Sequence, residues 1–434
     1  MEVHVGALIE QLLEFIDRSP SPYHAVEAAL ARLGPSFSRL DERQAYALEP
    51  GGRYVVTRSG SSLVAVVLPQ RLSAESRVLA IGAHTDSPTF RVKPQASYAK
   101  EGYLQFGVEV YGGPLFASWT DRDLGLAGRL WFRGDDPLAP ESVLYHSRSP
   151  ICRIPQLAIH LNREVNQKGL TLNAQTEMCP IWGIADDPGG EGALLEAICA
   201  ETGRPQSDLL SFELVLCDTQ PSARSGLSGE FLHAPRLDNL AMCFAALSAL
   251  AASKASPTDL YLIALFDNEE VGSDSERGAG GNFLEVTVER LLHAGGLDLE
   301  GRHRIVRRSL FVSADMAHSV HPNFADKHEP RHMPVMNRGP VIKVNAQERY
   351  ATTGFSAAVL RDLCRRAEIP HQWFVNRTDL GCGSTIGPMT AARMGIPTVD
   401  VGNAMLSMHS AREMAGAADV EYVDRLFAQL FSGQ

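Results

Sequence analysis

No stretch of this 434-residue chain stays apolar for the ~20 residues that a membrane-crossing helix needs. The opening segment, Met1-Glu-Val-His-Val-Gly6, has no basic stretch leading into an apolar core, so no secretion signal is expected. Basic residues are in the minority, with 40 Lys and Arg against 51 Asp and Glu and a net charge of −11. That deficit argues against non-specific nucleic-acid binding and against an anionic membrane surface as partner. Cysteine is sparse and unpatterned. Seven residues, an odd number without a Cys-x-x-Cys, read as reduced thiols in a cytoplasmic protein. Low-complexity tracts and internal repeats are also missing. What remains reads as a globular chain too long for one core, for which one large and one smaller domain are the default.

Acids, by contrast, stand in unexpected places. Asp267-Asn-Glu-Glu270 directly follows the apolar run Leu260-Tyr-Leu-Ile-Ala-Leu-Phe266. Two adjacent carboxylates at the end of a buried strand lose hydration and repel each other, and a divalent cation or a bound proton is the usual compensation. A solvated helix N-terminus, where acids suit the helix dipole, is the plain alternative. Three further apolar runs stop at metal-competent residues. Val78–Ala83 ends at His84, with Asp86 two residues on; Leu310–Ala314 ends at Asp315; Pro397–Gly402 leads through a short loop to His409. Arg236-Leu-Asp-Asn239 stands just ahead of a long helical stretch. In open α/β sheets the ligand site lies beyond the carboxyl ends of the strands. Core packing does not account for all of these converging there.

Periodicity supports such a sheet. Two amphipathic helices are predicted over 6–34, broken at Ser19-Pro-Ser-Pro22, followed by strands at 52–57, 62–68 and 78–84. From about 96 to 227 short alternating segments with Gly, Pro and Asp breaks point to a β-rich module. Strand and helix then alternate again: helix 240–253, strand 260–266, helix 283–293, strand 309–314, helix 355–367 and strand 397–401. This predicts an α/β fold, a mainly parallel twisted sheet flanked by helices. The metal-competent residues fall on both sides of the β-rich module. It is therefore expected to be an insertion, dividing the chain into 1–95, 96–227 and 228–434.

Two other motifs carry less. His328-Glu-Pro-Arg-His332 spells a zinc-protease pattern that requires a helix, and Pro330 inside it, with Pro322 and Pro334 around it, predicts a loop. Gly381-Cys-Gly-Ser-Thr-Ile-Gly387 reads as a tight turn that lets a ligand approach the backbone, not as a nucleotide cradle.

The residue types fit two metal ions sharing a carboxylate. His84 and Asp315 are expected on one ion, Glu270 and His409 on the other, and Asp238 between them. Asp86 is expected to accept a hydrogen bond from the outer ring nitrogen of His84, the alternative being an N-cap at Ser87-Pro88. Glu269 is left to act as general base and then to carry the proton to a leaving amine, the alternative being a purely structural acid. Zinc suits these donors; manganese and cobalt can share them.

Gly82-Ala-His-Thr-Asp-Ser-Pro88, Arg236-Leu-Asp-Asn239, Glu269-Glu-Val-Gly-Ser273, Ser313-Ala-Asp-Met-Ala-His318 and Met408-His-Ser410 together resemble the aspartyl aminopeptidase family of cocatalytic di-zinc exopeptidases. Leu157-Ala-Ile-His-Leu161, Gly339–Asn345, Arg349-Tyr-Ala351 and Gly383–Pro388 extend the resemblance over nearly the whole chain. It implies a catalytic α/β domain with an inserted β-rich dimerisation domain, and dimers assembled into a dodecamer with active sites facing an inner chamber. It implies peptide substrates with a free, acidic N-terminus, Asp or Glu. Such a side chain needs a cation in its pocket. Lys343 matches that position, an exposed lysine beside a strand being the alternative. His160 matches a position that reaches a neighbouring subunit's active site and holds substrate, a core histidine being the alternative. The chain departs from the family at Ala411, where a larger aliphatic is usual, which could loosen packing behind His409; Asp187–Glu191 is a local variation. Rival readings are a di-zinc deacylase or carboxypeptidase, and a catalytically idle shell-forming protein.

Overall fold

The computed structural model describes residues 2–185, 190 and 192–433, so of the Asp187–Glu191 stretch only Gly190 is described. The chain forms two compact units, one from residues 1–86, 222–408 and 413–434, the other from 87–221 and 409–412.

The first unit is organised by four strands buried along their whole length: Leu260–Phe266, Val78–His84, Leu310–Ala314 and Thr398–Gly402, adjacent in that order and all parallel. Uninterrupted apolar strands of this kind suit a sheet covered on both faces. Ser38–Arg39, Arg53–Arg58 and Ser62–Val67 extend the sheet on one side; Val341–Val344 and Gln372–Val375 extend it on the other. Five of its eight pairings are parallel, which makes the sheet mainly parallel.

Alternation along each strand feeds two cores. Tyr261, Ile263 and Leu265 pack with helices Glu2–Asp17, Pro22–Leu33, Leu237–Ala252, Gly354–Arg366 and Ala418–Leu430. Leu260, Leu262, Ala264 and Phe266 pack with Phe283–Ala294, Leu299–Arg308 and Ile386–Met394. Full burial of a Leu or Phe side chain contributes about 1.5–3 kcal/mol, so these layers hold the strand ends rigidly. Helix Leu237–Ala252 is buried almost all round, as its alanine- and leucine-rich sequence requires. A small second sheet joins Ala223–Ser225, Phe231–Ala234, Glu413–Gly416, Ala404–Leu406 and Ala317–His318.

The second unit is a six-stranded antiparallel sheet in the order Glu141–His146, Leu124–Phe132, Leu209–Asp218, Thr89–Lys100, Tyr103–Tyr111 and Ile181–Ile184, with helix Ala193–Thr202 packed on it. It begins at Ser87, not at 96, because Thr89–Lys100 pairs with Tyr103–Tyr111 from its first residue. The change of character near 96 is a register shift inside that strand, between Val92 and Ser97. The unit ends at Pro221, since Ala223–Ser225 already pairs with Phe231–Ala234. Ala411 is buried in this unit's core and its N–H donates to Ser118 Oγ at 2.9 Å, so packing is closed around it.

His328–His332 is not helical; a single turn at Ala325–Lys327 precedes it, and His332 and Glu329 bond to each other. The glycine-rich turn differs from expectation. Neither Gly381 nor Gly383 has a positive φ, and a Cβ on either meets nothing within 4 Å. The crowded position is Gly387, where a Cβ would lie 2.5 Å from Asp400 Oδ2. No described helix is long and apolar enough to cross a membrane, and no disulfide joins the seven cysteines.

Candidate metal centre

The site grows from three adjacent strand ends. Phe266 is level with His84, and Ser313 with Gly82, so parallel strands finish together at one edge. His84, Asp267–Glu270 and Asp315 therefore emerge side by side. Asp238 arrives from the small sheet. Ala234 pairs with Glu413, and the chain turns through Arg236, at φ 58°, into a cis peptide between Asp238 and Asn239. The Asp238 N–H donates to Glu413 Oε2 at 3.0 Å, and the Asn239 side-chain amide donates to the Ala314 carbonyl at 2.8 Å.

His84 is the hub. Its Nε2 lies 3.5 Å from Asp238 Oδ1, 3.7 Å from Asp315 Oδ1 and 4.0 Å from Glu269 Oε2. Ligand atoms of His84, Asp238 and Asp315 all lie within 4.8 Å of one another, as do those of His84, Glu269 and Glu270, and Glu270 is equally close to Asp238. His84 Nδ1 is 2.9 Å from the main-chain oxygen of Asp86. A carbonyl only accepts, so Nδ1 carries a proton and Nε2 is the nitrogen that faces the carboxylates and is available to a metal.

Asp86 does more than expected. Its carboxylate stands 3.4 Å from His84 Nδ1 and also takes the Glu269 N–H on Oδ1 and the Glu270 N–H on Oδ2, each at 3.1 Å. Asp86 thus faces the imidazole with both its backbone oxygen and its carboxylate, and holds the two glutamates with its side chain. The chain runs on from it into a strand, so it caps no helix of its own.

The electrostatics call for a cation. Burial alone would lower the His84 pKa, but the Asp238, Asp315 and Asp86 side chains and the charge of Glu269 raise it well above its ordinary value. Burial raises Glu269 far above the usual carboxylate range; His84 opposes this, while Asp315, Glu270 and Asp86 add repulsion. Both shifts mark lone pairs and negative charge gathered out of water. Imidazole nitrogen and carboxylate oxygen at these separations are the donors a divalent transition metal takes.

His409 belongs to the second unit. It adopts φ 67°, its carbonyl accepts from the Leu115 N–H at 2.9 Å, and its Nδ1 lies 3.2 Å from the Gly113 carbonyl. As in His84, a carbonyl on Nδ1 leaves the Nε2 lone pair available to a ligand. His160 is exposed in a turn, between exposed Leu157, Ile159 and Leu161, and is no core histidine. Lys343 is not a surface residue. It is 3 % exposed, its Nζ donates to the Met316 carbonyl at 2.7 Å, and it lies 3.3 Å from Asp315 Oδ2.

Sequence reasoning missed Glu413, the buried acid that holds the Asp238 backbone. An inward-facing acid in the strand-like Glu413-Met-Ala-Gly416 was the available signal. That reasoning singled out Asp267 with the segment 267–270 but gave it no role; its Oδ1 accepts the Asn268 N–H at 2.8 Å and so continues the clamp on this turn.

A family model described as Aminopeptidase I zinc metalloprotease (M18) matches residues 15–431. The sequence is 47% identical over 431 residues to the probable M18 family aminopeptidase 2 of Pseudomonas aeruginosa (strain UCBPP-PA14), covering 98% of each chain. A chain in the cryo-EM structure of the Ape4 and Nbr1 complex superposes with a TM-score of 0.94 at 37% identity, covering 100% of this chain and 87% of that one. The S. cerevisiae mApe1 dodecamer gives a TM-score of 0.85 at 31% identity, covering 98% and 96%.

Proposed function

The chain belongs to the M18 family of zinc aminopeptidases, and from that premise we propose that it releases unblocked N-terminal Asp or Glu residues from peptides. The observation that carries the acidic preference is the burial of Lys343 beside Asp315. A buried ammonium next to the reacting centre gives an incoming side-chain carboxylate the charge partner that it needs. The free α-amine at the other end of the substrate would lie beside one of the ions that the carboxylates around His84 would hold, which sets the exopeptidase register.

His84 and Asp315 are assigned to one divalent ion, Glu270 and His409 to a second, and Asp238 to both. Zinc is the metal the family supplies; manganese and cobalt fit the same donors. When bound, such ions polarise the scissile carbonyl and make a water more acidic. The chain's own residues do the rest. Glu269, which the assigned ligand set leaves free of a metal, takes the proton of the attacking water and hands it to the departing amine. Asp86 holds the Glu269 backbone in place for both transfers.

The second unit is read as a dimerisation domain. Exposed Leu157, Ile159 and Leu161 give a second copy an apolar contact, from which His160 reaches the neighbouring subunit's substrate. The similarity to the mApe1 dodecamer supports a dodecamer built from such dimers. The compartment is read as the cytoplasm, from a cysteine content that serves no disulfide.

The test is cleavage of one Asp-initiated peptide, with its amine free and then acetylated, before and after chelation, with a Leu-initiated control. Chelator-sensitive release from the free-amine Asp peptide alone is expected. Equal cleavage of the Leu peptide would refute the acidic preference, and cleavage of the acetylated peptide would refute the aminopeptidase register.

A further inference from the structure

Three successive amides of the glutamate turn are held by two buried carboxylates. Asp267 Oδ1 accepts the Asn268 N–H at 2.8 Å; Asp86 accepts those of Glu269 and Glu270 at 3.1 Å each. Asn268 sits in the left-handed region at φ 64°, so the direction in which Glu269 leaves the strand depends on this anchoring. The arrangement has an internal cost, because Asp86 and Asp267 repel each other away from water.

A cation answers that cost at Asp267. Arg277 Nε lies 3.5 Å from Asp267 Oδ2. The same guanidinium donates to the Tyr23 hydroxyl at 3.0 Å and to Ser61 Oγ at 3.5 Å, which fixes it against the helix Pro22–Leu33 and the loop before Ser62–Val67. The backbone ties in as well. The Arg277 carbonyl accepts from Ser62 Oγ at 2.7 Å, and Ser62 Oγ in turn accepts the Asp267 N–H at 2.9 Å. Asp267, Tyr23 and Ser61, which the guanidinium holds, are none of them assigned metal ligands.

We propose that Arg277 is a positioning residue for the reaction: its guanidinium, tied to Tyr23 and Ser61, holds the Asp267 carboxyl group in place, and through the hydrogen bond from the Asn268 N–H to that carboxyl it sets the aim of Glu269. This rests on reading Glu269 as the proton carrier. Loss of the guanidinium removes the link between the Asp267 carboxyl and Tyr23 and Ser61, beneath a turn whose geometry must be kept to within about an ångström.

The test uses the full-length, zinc-loaded protein with Arg277→Met, Arg277→Lys, Asp267→Asn and the double variant. Arg277→Met should lower kcat between about tenfold and a hundredfold, with KM nearly unchanged and metal content intact, and Arg277→Lys should recover most of the loss. Amide hydrogen exchange over residues 268–270 should quicken in Arg277→Met, whichever peptide is being cleaved. In the double variant the losses should not multiply, because both substitutions break the same Arg277–Asp267 contact. Unchanged kcat and exchange in folded Arg277→Met, or fully multiplicative losses, would overturn the proposal. If Arg277→Met does not fold, the comparison of Arg277→Lys with Asp267→Asn decides on the same readouts. Failure of the underlying reading shows separately, as retained turnover in Glu269→Gln.

Discussion

Asp86 Oδ1 receives the main-chain N–H of Glu269 at 3.1 Å, and so connects the strand that carries His84 to the turn that carries the proposed base. Its second oxygen does the same for Glu270. Asn at this position keeps one acceptor and turns an NH2 towards the other amide. Asp86→Asn should therefore lower kcat by about 10–100-fold, and weaken metal retention less than loss of His84 does. Steady-state kinetics at saturating zinc, with metal content measured alongside, check this. A variant with parental kcat would reduce Asp86 to a spacer.

Glu269→Gln keeps the size and the backbone bonds of the side chain and removes its ability to take a proton. Turnover should fall by about 10²–10⁴-fold, the usual worth of a positioned general base. Metal content should hold, because the assigned ligands are untouched. Near-parental turnover of a fully loaded variant would take Glu269 out of the mechanism.

Much of this site was legible because apolar runs ended on charge. His84, Glu269, Glu270 and Asp315 each come after a strand that periodicity identifies, and the register of three parallel strands does the rest. The role of Glu413 was not legible, since it depends on Ala234 pairing with Glu413 across a sheet of very short strands. Nor was the start of the second unit at Ser87, because Thr89–Lys100 belongs wholly to the second sheet while only its far half differs in composition. That the Asp86 backbone oxygen also meets His84 Nδ1, at 2.9 Å, follows from local chain geometry and is not encoded by residue type.

Lys343 tests the substrate reading. Lys343→Met keeps most of the buried stem and removes the ammonium. The ratio of kcat/KM for Asp- over Leu-initiated peptides should fall at least about tenfold, since a desolvated carboxylate would lose its charge partner. Activity towards the Leu peptide should fall less. Because Lys343 also contacts Asp315, metal content must be equal in the variants compared. An unchanged ratio at equal loading would refute the pocket assignment.

Asp419 gives the fold a pH dependence away from the metal centre. Burial pushes its pKa up to about 6 from the ordinary 3.8, against the lowering effect of the Asn337, Gly339 and Arg338 amides. Between those values the folded protein binds a proton that the unfolded chain does not. This group's contribution therefore favours folding at low pH and is lost as pH rises through about 6. A shift of about two units corresponds to about 3 kcal/mol at most. Asp419→Asn cannot titrate, so the stability of the parent relative to this variant should decline between pH 4.5 and 7. A difference independent of pH in thermal melts at the two values would contradict the assignment.

Gly402 lies directly under the backbone of a proposed ligand. A Cβ built on it would stand 1.8 Å from the Asp315 carbonyl oxygen and 2.5 Å from its carbonyl carbon, a clash only main-chain movement can relieve. The two strands are joined there as well, since the Asp315 N–H donates to the Val401 carbonyl at 2.9 Å. Gly402→Ala should cost about 1–3 kcal/mol of stability, as overpacking does, and should also displace Asp315 from His84. Its thermal midpoint should rise less on adding zinc than the parent's, because weaker binding stabilises less. Gly383→Ala is the matched control, with no atom within 4 Å of the added methyl and an expected change within about 0.5 kcal/mol. If Gly402→Ala melts and binds zinc as Gly383→Ala does, Asp315 is not held by this contact.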